Sequence, residues 1–230
     1  MNCACINYTN DTLNYGNVPM KLLHINASTR GETSQSLSVA RHLISELQAR
    51  NNIELDDYNL FDDDLPKFDG LAVGAKMALL TGTEADSPQK AAWQKIKEVF
   101  DRFASADVYV FNVPLWNSGI PYVLKQFIDL VTQPGWSFGF DVAQGYTGLL
   151  TGRKAFVVHA SGIYYQGIPE NFGADFSTPY LDGWLKFIGV QDVEHIYVAP
   201  TVVTADFEKT KTAALARAED LAVRAFPPLG

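Results

Sequence analysis

Short apolar runs alternate with amphipathic helical patterns from residue 20 onward, and this alternation constrains the fold more than any other feature. The predicted strands are residues 21–27, 53–60, 107–114, 154–161 and 193–199. The predicted helices are residues 34–50, 87–103, 120–131, 180–189 and 206–225, with one short helix near 76–80 in the long connection 61–87. Because strands that alternate with helices are joined by right-handed crossovers, we predict a parallel sheet with helices on both faces.

Five such strands fit an α/β, flavodoxin-like fold, a three-layer sandwich whose five-stranded parallel sheet has the order 2-1-3-4-5. We expect one such domain over residues 20–230, which would also bind the ligand. Ligands of these sheets bind beyond the carboxyl ends of the strands, where the strand order reverses. The loops after predicted strands 1, 3 and 4 are therefore the candidate site. Residues 1–19 are polar and match no targeting peptide, so we expect a flexible N-terminal extension there.

Charge and cysteine content limit the partners and the compartment. The chain has 18 Lys and Arg against 26 Asp and Glu residues, a net charge of −8, which argues against nucleic acid or an anionic membrane as partner. No apolar run approaches the roughly 20 residues of a membrane helix. Cys3 and Cys5 are the only cysteines. We therefore expect no disulfide framework and no thiol nucleophile, and a reducing compartment such as the cytoplasm.

The connection after strand 1, "ASTRGETSQS", is rich in hydroxyl groups. A helix N-terminus offers unpaired N–H groups and partial positive charge to a phosphate, and Ser28, Ser34 and Ser36 add hydroxyl donors. Arg30 lies in the same loop and would neutralise part of the negative charge of a bound phosphate. Neither a P-loop nor a G-x-G-x-x-G sequence occurs. The loop suits a phosphomonoester that is held rather than transferred, such as that of FMN; the alternative is an ordinary helix cap at Ser34 beside a solvated loop. We expect no metal site.

The connection after strand 3, "VPLWNSGIPY", combines apolar and amide groups. Pro114 ends the strand, Leu115 and Trp116 offer a flat apolar surface, and Asn117 both donates and accepts hydrogen bonds. A planar heteroaromatic ring needs apolar contacts on its faces and polar groups at its rim. The alternative is a strand end that carries a buried tryptophan.

Residues 20–226 resemble the FMN-dependent NADH:quinone oxidoreductase and azoreductase family of flavodoxin-like quinone reductases. The family's S-x-S phosphate element is similar to Ser34-Gln35-Ser36, and its P-M-Y-N-F segment along the flavin resembles Pro114-Leu115-Trp116-Asn117-Ser118. The stretches "LKQFIDLV" and "TPYLDGWLKFIGV" also resemble helices of the family. The residues that the loops and this resemblance assign to the cofactor are Ser28, Arg30, Ser34, Gln35, Ser36, Pro114, Leu115, Trp116, Asn117, Ser118, Ser161 and Gly162.

The resemblance implies a two-electron, ping-pong reduction of quinones and azo compounds by NADH or NADPH on bound FMN. The chemistry would then be borne by the flavin, and His159 is a candidate proton donor. A homodimer is implied, in which Phe138 lines the substrate slot across subunits; the alternative for Phe138 is packing in the core of its own chain. Tyr164 and Tyr165 are expected at the pocket. Where the family has S-R-G-G, this chain has Ala160-Ser161-Gly162-Ile163, so we expect a different pocket rim. Backbone N–H groups near Ser161 and Gly162 would stabilise charge on the reduced flavin.

Three other functions are compatible with such a sheet. A low-molecular-weight phosphatase needs a cysteine in the loop after strand 1, and residues 24–36 contain none. A response-regulator receiver needs an acid at the end of strand 1 to accompany Asp56-Asp57, and Asn26-Ala27-Ser28 supplies none. A non-enzymatic FMN-binding electron carrier or redox-sensing module remains the alternative to the enzyme; it would bind flavin without NAD(P)H turnover.

Overall fold

A five-stranded parallel sheet forms the centre of the computed structural model, which describes residues 18–202 and 207–226. The strands are β1 (Met20–Asn26), β2 (Ile53–Asn59), β3 (Val108–Pro114), β4 (Phe138–Asp141), β5 (Gly145–Gly148), β6 (Lys154–Ala160) and β7 (Asp192–Val198). The helices are α1 (Gln35–Arg50), α2 (Gly70–Thr81), α3 (Ser87–Ala104), α4 (Tyr122–Val131), α5 (Ser177–Ile188) and α6 (Phe207–Ala225). The sheet order is β2-β1-β3-β6-β7, which confirms the predicted order, since β6 and β7 are predicted strands 4 and 5.

Helices cover both faces of the sheet, and β3 lies at its middle. All residues of β3 except Pro114 are buried. Tyr109 and Phe111 point into the core formed with α3, α4 and α5, whereas Val108 and Val110 pack on the other face with α1 and α6. Burial on both faces explains why this strand is continuously apolar rather than alternating.

The segment from residue 135 to 148 differs from the prediction. Its aromatic stretch forms an antiparallel hairpin, β4–β5, in which Phe138 pairs with Gly148. The hairpin lies apart from the main sheet and packs against the end of α5, where Phe187 contacts Phe138 with ring centroids 4.9 Å apart. A four-residue strand has too few residues to display an alternating pattern, so the sequence gives little sign of it.

The helix in the long connection after β2 is longer than predicted. It spans Gly70–Thr81, and the Asp69 side chain caps it by accepting hydrogen bonds from the N–H groups of Leu71 and Ala72. Gly70 and Gly74 lower the intrinsic helix propensity of the first turns, which is why the pattern predicts only the residues near 76–80.

Two other expectations concern the N-terminal extension and membrane-spanning helices. The predicted flexible extension falls almost entirely on residues 1–17, which lie outside the described residues. Within residues 18–202 and 207–226, none of the helices has both the length and the hydropathy needed to cross a membrane.

Candidate functional site

The carboxyl ends of β1, β3 and β6 lie side by side at one edge of the sheet. Asn26 is in register with Asn112, and Pro114 is in register with Ala160. The three loops chosen from the sequence, residues 27–34, 115–121 and 161–176, therefore leave the sheet next to one another. Between β1 and β3 the strand order reverses, and ligands of open α/β sheets bind there.

The loop after β1 buries three hydroxyl groups around the start of α1. Ser28, Ser34 and Ser36 are all buried. Ser34 is the N-cap of α1; its Oγ accepts a 3.3 Å hydrogen bond from the Leu37 N–H and lies 3.3 Å from the Ser36 Oγ. Gly31 has a φ of +51°, which lets the chain turn before the helix. Ser34 is therefore an ordinary helix cap, which is the alternative stated above for this loop. The hydroxyl groups of Ser28 and Ser36 are nevertheless buried beside it.

Several of these polar groups have no partner among the described residues. The backbone N–H groups of Gln35 and Ser36 find no acceptor there, as expected for the first turn of a helix. The Gln35 Oε1 atom is buried and accepts no hydrogen bond within the same set. Unpaired N–H groups suit a phosphate, and an unpaired carbonyl oxygen suits a hydroxyl donor such as that of a polyol chain. Arg30 is exposed, at the rim of this cradle.

The loop after β3 begins with a tight turn at Asn117 and Ser118. Trp116 and Gly119 exchange two backbone hydrogen bonds of 2.9 Å across it. Asn117 and Ser118 have φ values of 49° and 66°, as the two central residues of a type I′ turn require. Positive φ is uncommon for a residue other than glycine, Asn or Asp, and a strained backbone held by its surroundings is typical of functional loops.

The Trp116 ring is half-buried in an aromatic cluster. Its centroid lies 5.9 Å from that of Phe61 and 6.3 Å from that of Tyr122. Phe61 belongs to the connection after β2, and Tyr122 belongs to the first turn of α4. The Trp116 ring therefore packs between these two segments. The flat surface predicted from the sequence is present, and part of it is covered by Phe61.

The loop after β6 is tied to the segment after β7. The Ser161 N–H donates a 3.3 Å hydrogen bond to the Val198 carbonyl, and the carbonyls of Ser161 and Gly162 accept hydrogen bonds from Thr201 and Val202. Ser161 therefore uses its N–H inside the protein. Of the two backbone donors predicted to face a ligand, only the Gly162 N–H lacks an acceptor among the described residues.

A cavity of about 390 Å³ lies between the ends of β3, β6 and β7. It brings together Leu115, Ser161, Tyr164, Tyr165 and His159, all of them predicted site residues. The other lining residues are Val113, Ala160, Gln166, Asp175, Thr178, Pro179, Tyr197 and Ala199. The cavity is thus bounded by the apolar and aromatic side chains that a planar ligand needs, with a few polar groups among them.

The remaining predicted residues lie outside this cavity. Ser28, Arg30 and residues 34–36 form the separate cradle at α1, and Pro114, Trp116, Asn117 and Ser118 stand between the two at the end of β3. Phe138 packs within its own chain against Tyr146 and Phe187 and does not line the cavity. Its place across a dimer stays a prediction.

His159 is buried beside a second histidine that the sequence analysis missed. Its Nε2 lies 3.0 Å from the Nδ1 of His195, and its ring stacks on that of Tyr197 at a centroid distance of 5.0 Å. Burial, and next the charge of His195, lower the pKa of His159 to about 3. His159 is therefore neutral near pH 7. The register of β6 with β7 pairs His159 with Tyr197 and His195 with Val157. His195 therefore lies two residues from the partner of His159 on the same face of the sheet, which no local pattern indicates.

No group of three or more His, Cys, Asp or Glu residues in the described parts of the chain is arranged to hold a metal ion. The candidate site consists instead of an anion cradle at α1 and an aromatic cavity on the other side of β3. This arrangement suits a ligand with a phosphate at one end and a planar ring at the other.

Comparison with known proteins gives the same picture. The family model described as a flavodoxin-like fold matches residues 20–222. The FMN-dependent NADH:quinone oxidoreductase of Ruegeria pomeroyi is 42% identical over 187 residues, covering 81% of this chain and 92% of the relative. That of Desulfotalea psychrophila is 36% identical over 204 residues, covering 88% and 95%. The structure of an FMN-dependent NADH-azoreductase from Bacillus anthracis in complex with FMN superposes with a TM-score of 0.79 at 27% identity, covering 90% of this chain and 99% of that one.

Proposed function

Because the chain belongs to the flavodoxin-like fold family, and within it to the FMN-dependent NADH:quinone oxidoreductases and azoreductases, we propose that it reduces quinones and azo compounds with NADH on bound FMN. The observation that supports this most directly is the convergence of three separate loops. The phosphate cradle follows β1, where the sheet order reverses, and the aromatic cavity lies beyond β3 and β6 at the same edge of the sheet.

The cradle after β1 would hold the phosphate of FMN. The hydroxyls of Ser28, Ser34 and Ser36 and the N–H groups of Gln35 and Ser36 are the donors for its oxygens. The buried, unpartnered Oε1 of Gln35 fits a hydroxyl of the ribityl chain. Arg30 adds positive charge from the rim.

The cavity would hold the ring of FMN and the substrate next to it. Leu115 and Ser161 are the predicted ring contacts that line it, and Tyr164 and Tyr165 would close it over the substrate. When bound, FMN supplies hydride transfer from NADH to the acceptor. The apolar side chains among the lining residues, such as Leu115, Val113 and Pro179, would limit the access of water to this space.

His159 has a supporting role in this proposal. Reduction of a quinone to a hydroquinone consumes protons, and His159 lies at the cavity wall. A neutral imidazole holds a single N–H, so a proton that His159 gives to the acceptor has to be replaced through its hydrogen-bond partner His195.

Several finer points belong to the same proposal. NADPH is an alternative donor, which the names of the relatives leave open. We propose a homodimer, as the resemblance implies, in which Phe138 faces the partner's site. The scarcity of cysteine supports a reducing compartment such as the cytoplasm.

The proposal is tested on the purified full-length protein. Its visible spectrum is recorded after incubation with FMN and removal of free flavin, then again after anaerobic addition of NADH and finally of benzoquinone. We expect a flavin spectrum that NADH bleaches and benzoquinone restores. A protein that retains no FMN contradicts the proposal, and one that binds FMN without reacting with NADH or NADPH is the non-enzymatic carrier instead.

A further inference from the structure

A continuous chain of hydrogen bonds runs from the protein surface to the loop after β1. The His24 Nδ1 lies 2.8 Å from a carboxylate oxygen of Asp57, and its Nε2 lies 2.8 Å from the Asn112 Oδ1. The Asn112 amide donates a 2.8 Å hydrogen bond to the Asn26 Oδ1. The same oxygen accepts the backbone N–H of Ser28 at 3.0 Å. Ser28 is one of the residues assigned to the phosphate.

The sheet register creates this chain of side chains. His24 on β1 faces Asp57 on β2, and Asn26 faces Asn112 on β3, all on the side of the sheet that α1 covers. His24, Asn112 and Asn26 are 1%, 0% and 6% exposed, whereas the Asp57 side chain is 55% exposed. A polar chain therefore enters the protein from the edge strand and ends directly behind the proposed phosphate cradle.

The donor and acceptor of each hydrogen bond in this chain can be worked out from the Ser28 N–H group, whose role as a donor is certain. The Ser28 N–H can only donate, so the Asn26 atom that it meets is an oxygen. That oxygen has to be met by the amide nitrogen of Asn112, which turns the Asn112 oxygen towards His24. Both neighbours of the His24 ring, the Asn112 oxygen and the Asp57 carboxylate, are then acceptors. The ring donates a hydrogen bond to both of them only when each of its nitrogens carries a proton, and a ring with two protons is positively charged.

We infer that His24 is a buried imidazolium that positions the phosphate cradle through Asn112 and Asn26. The identity of the bound phosphate rests on the proposed function, whereas the charge of His24 rests on the hydrogen-bond pattern alone. The hydrogen bond from His24 is the largest influence that lowers the pKa of Asp57, and the charges of Arg41 on α1 and Arg102 on α3 act in the same direction. Asp57 is therefore the ionised partner that a buried cation needs.

The imidazolium has two effects on the site. It locks Asn112 and Asn26 in one orientation, which holds the Ser28 backbone in place for the ligand. It also puts a positive charge beneath an anion site in a chain whose net charge is −8, and a buried charge is screened by salt much less than the exposed Arg30. His24 is thus a positioning residue: it does not contact the phosphate itself but acts through Asn112, Asn26 and the Ser28 backbone.

The test compares two neighbouring aspartates of β2 and two ligands. Asp57→Asn removes the partner of His24, while Asp56→Asn is the matched control, because Asp56 is 46% exposed and pairs with Arg102 instead, at 2.6 Å. Affinity is measured for FMN and for riboflavin, which has the same ring and polyol without the phosphate. We expect Asp57→Asn to weaken FMN binding about tenfold, which is the lower end of the loss seen when the hydrogen-bond partner of a metal ligand is removed, and to leave riboflavin binding unchanged. Asp56→Asn is expected to change both affinities less than about twofold.

The second measurement reads the charge of His24 directly. In a histidine-selective nitrogen-15 NMR spectrum of the wild-type protein at pH 7, both ring nitrogens of His24 are expected to show a bound proton, and one of them is expected to lose it in Asp57→Asn. A wild-type His24 with one bare nitrogen overturns the inference. So does an equal loss of FMN and riboflavin affinity in Asp57→Asn, which would be a structural effect. If the wild-type protein binds neither flavin, the proposed function fails, whereas the nitrogen spectrum still decides the charge of His24.

Discussion

The backbone N–H of Phe176 donates a 2.7 Å hydrogen bond to the carbonyl oxygen of Ser118. This bond joins the end of the loop after β6 to the tight turn after β3. A second backbone bond of 2.8 Å, from the Leu115 N–H to the Ala160 carbonyl, joins the starts of the same two loops. The cavity between them is therefore framed by main-chain contacts, and its width depends less on individual side chains.

A negative charge at the N-cap of α1 should expel the phosphate. We expect Ser34→Asp to weaken FMN binding at least about tenfold, or about 1.4 kcal/mol, because its carboxylate would face the phosphate. Ser34→Asn is the matched control, since Asn also caps a helix well and carries no charge. Flavin retention after gel filtration and fluorescence titration measure the effect. If the two variants bind FMN equally well, the phosphate is held elsewhere.

The turn at Ser118 stores backbone strain that glycine should release. Ser118 has a φ of +66°. We expect Ser118→Gly to raise the free energy of unfolding by about 1 kcal/mol relative to Ser118→Ala, which keeps a β-carbon in the left-handed region. Urea denaturation of the two variants measures the difference. Equal stabilities would show that the loop adopts another conformation in solution.

The hairpin β4–β5 should depend on the absence of a side chain at Gly148. A β-carbon at this position would overlap the backbone of Ile188 and Gly189 at the end of α5. We expect Gly148→Ala to lower the free energy of unfolding by about 2 kcal/mol, as overpacking does. Gly183→Ala, in α5, is the control: a β-carbon there meets no atom within 4 Å, and alanine favours a helix. Thermal denaturation should show opposite shifts for the two variants.

The buried His159 should make stability fall in acid. Burial, and next His195, lower its pKa from 6.5 to about 3, so between these values the unfolded chain binds a proton that the folded protein does not. Its contribution to stability is therefore complete above about pH 6.5 and is lost as the pH falls towards 3. Urea denaturation at several pH values should show a shallower acid loss in His159→Gln than in the wild type, by up to about 1.4 kcal/mol per pH unit. Parallel curves for the two proteins would exclude a buried, neutral His159.

Local patterns predicted the five strands of the main sheet, their order, and five of the helices to within three residues at each end. Strand β3 illustrates why: five of its seven residues are Val, Tyr or Phe, and such a stretch leaves few alternatives to a strand at the centre of a sheet. The S-x-S and P-L-W-N-S stretches could likewise be assigned to a ligand, because each is contiguous and each resembles a cofactor-binding segment of the family. What the sequence determined by itself was therefore the five strands of the main sheet, the helices and their layering, and it indicated the edge of the sheet that carries the candidate site.

Only the tertiary structure decided which side chains meet. His24 and Asn112 are 88 positions apart, and His159 and His195 are 36 apart, yet each pair is in hydrogen-bond contact. The same holds for Gly148 against Gly189, where two elements approach too closely for any β-carbon. Strand register and the packing of separate elements set these contacts, and neither leaves a local pattern in the chain, because each depends on the fold as a whole.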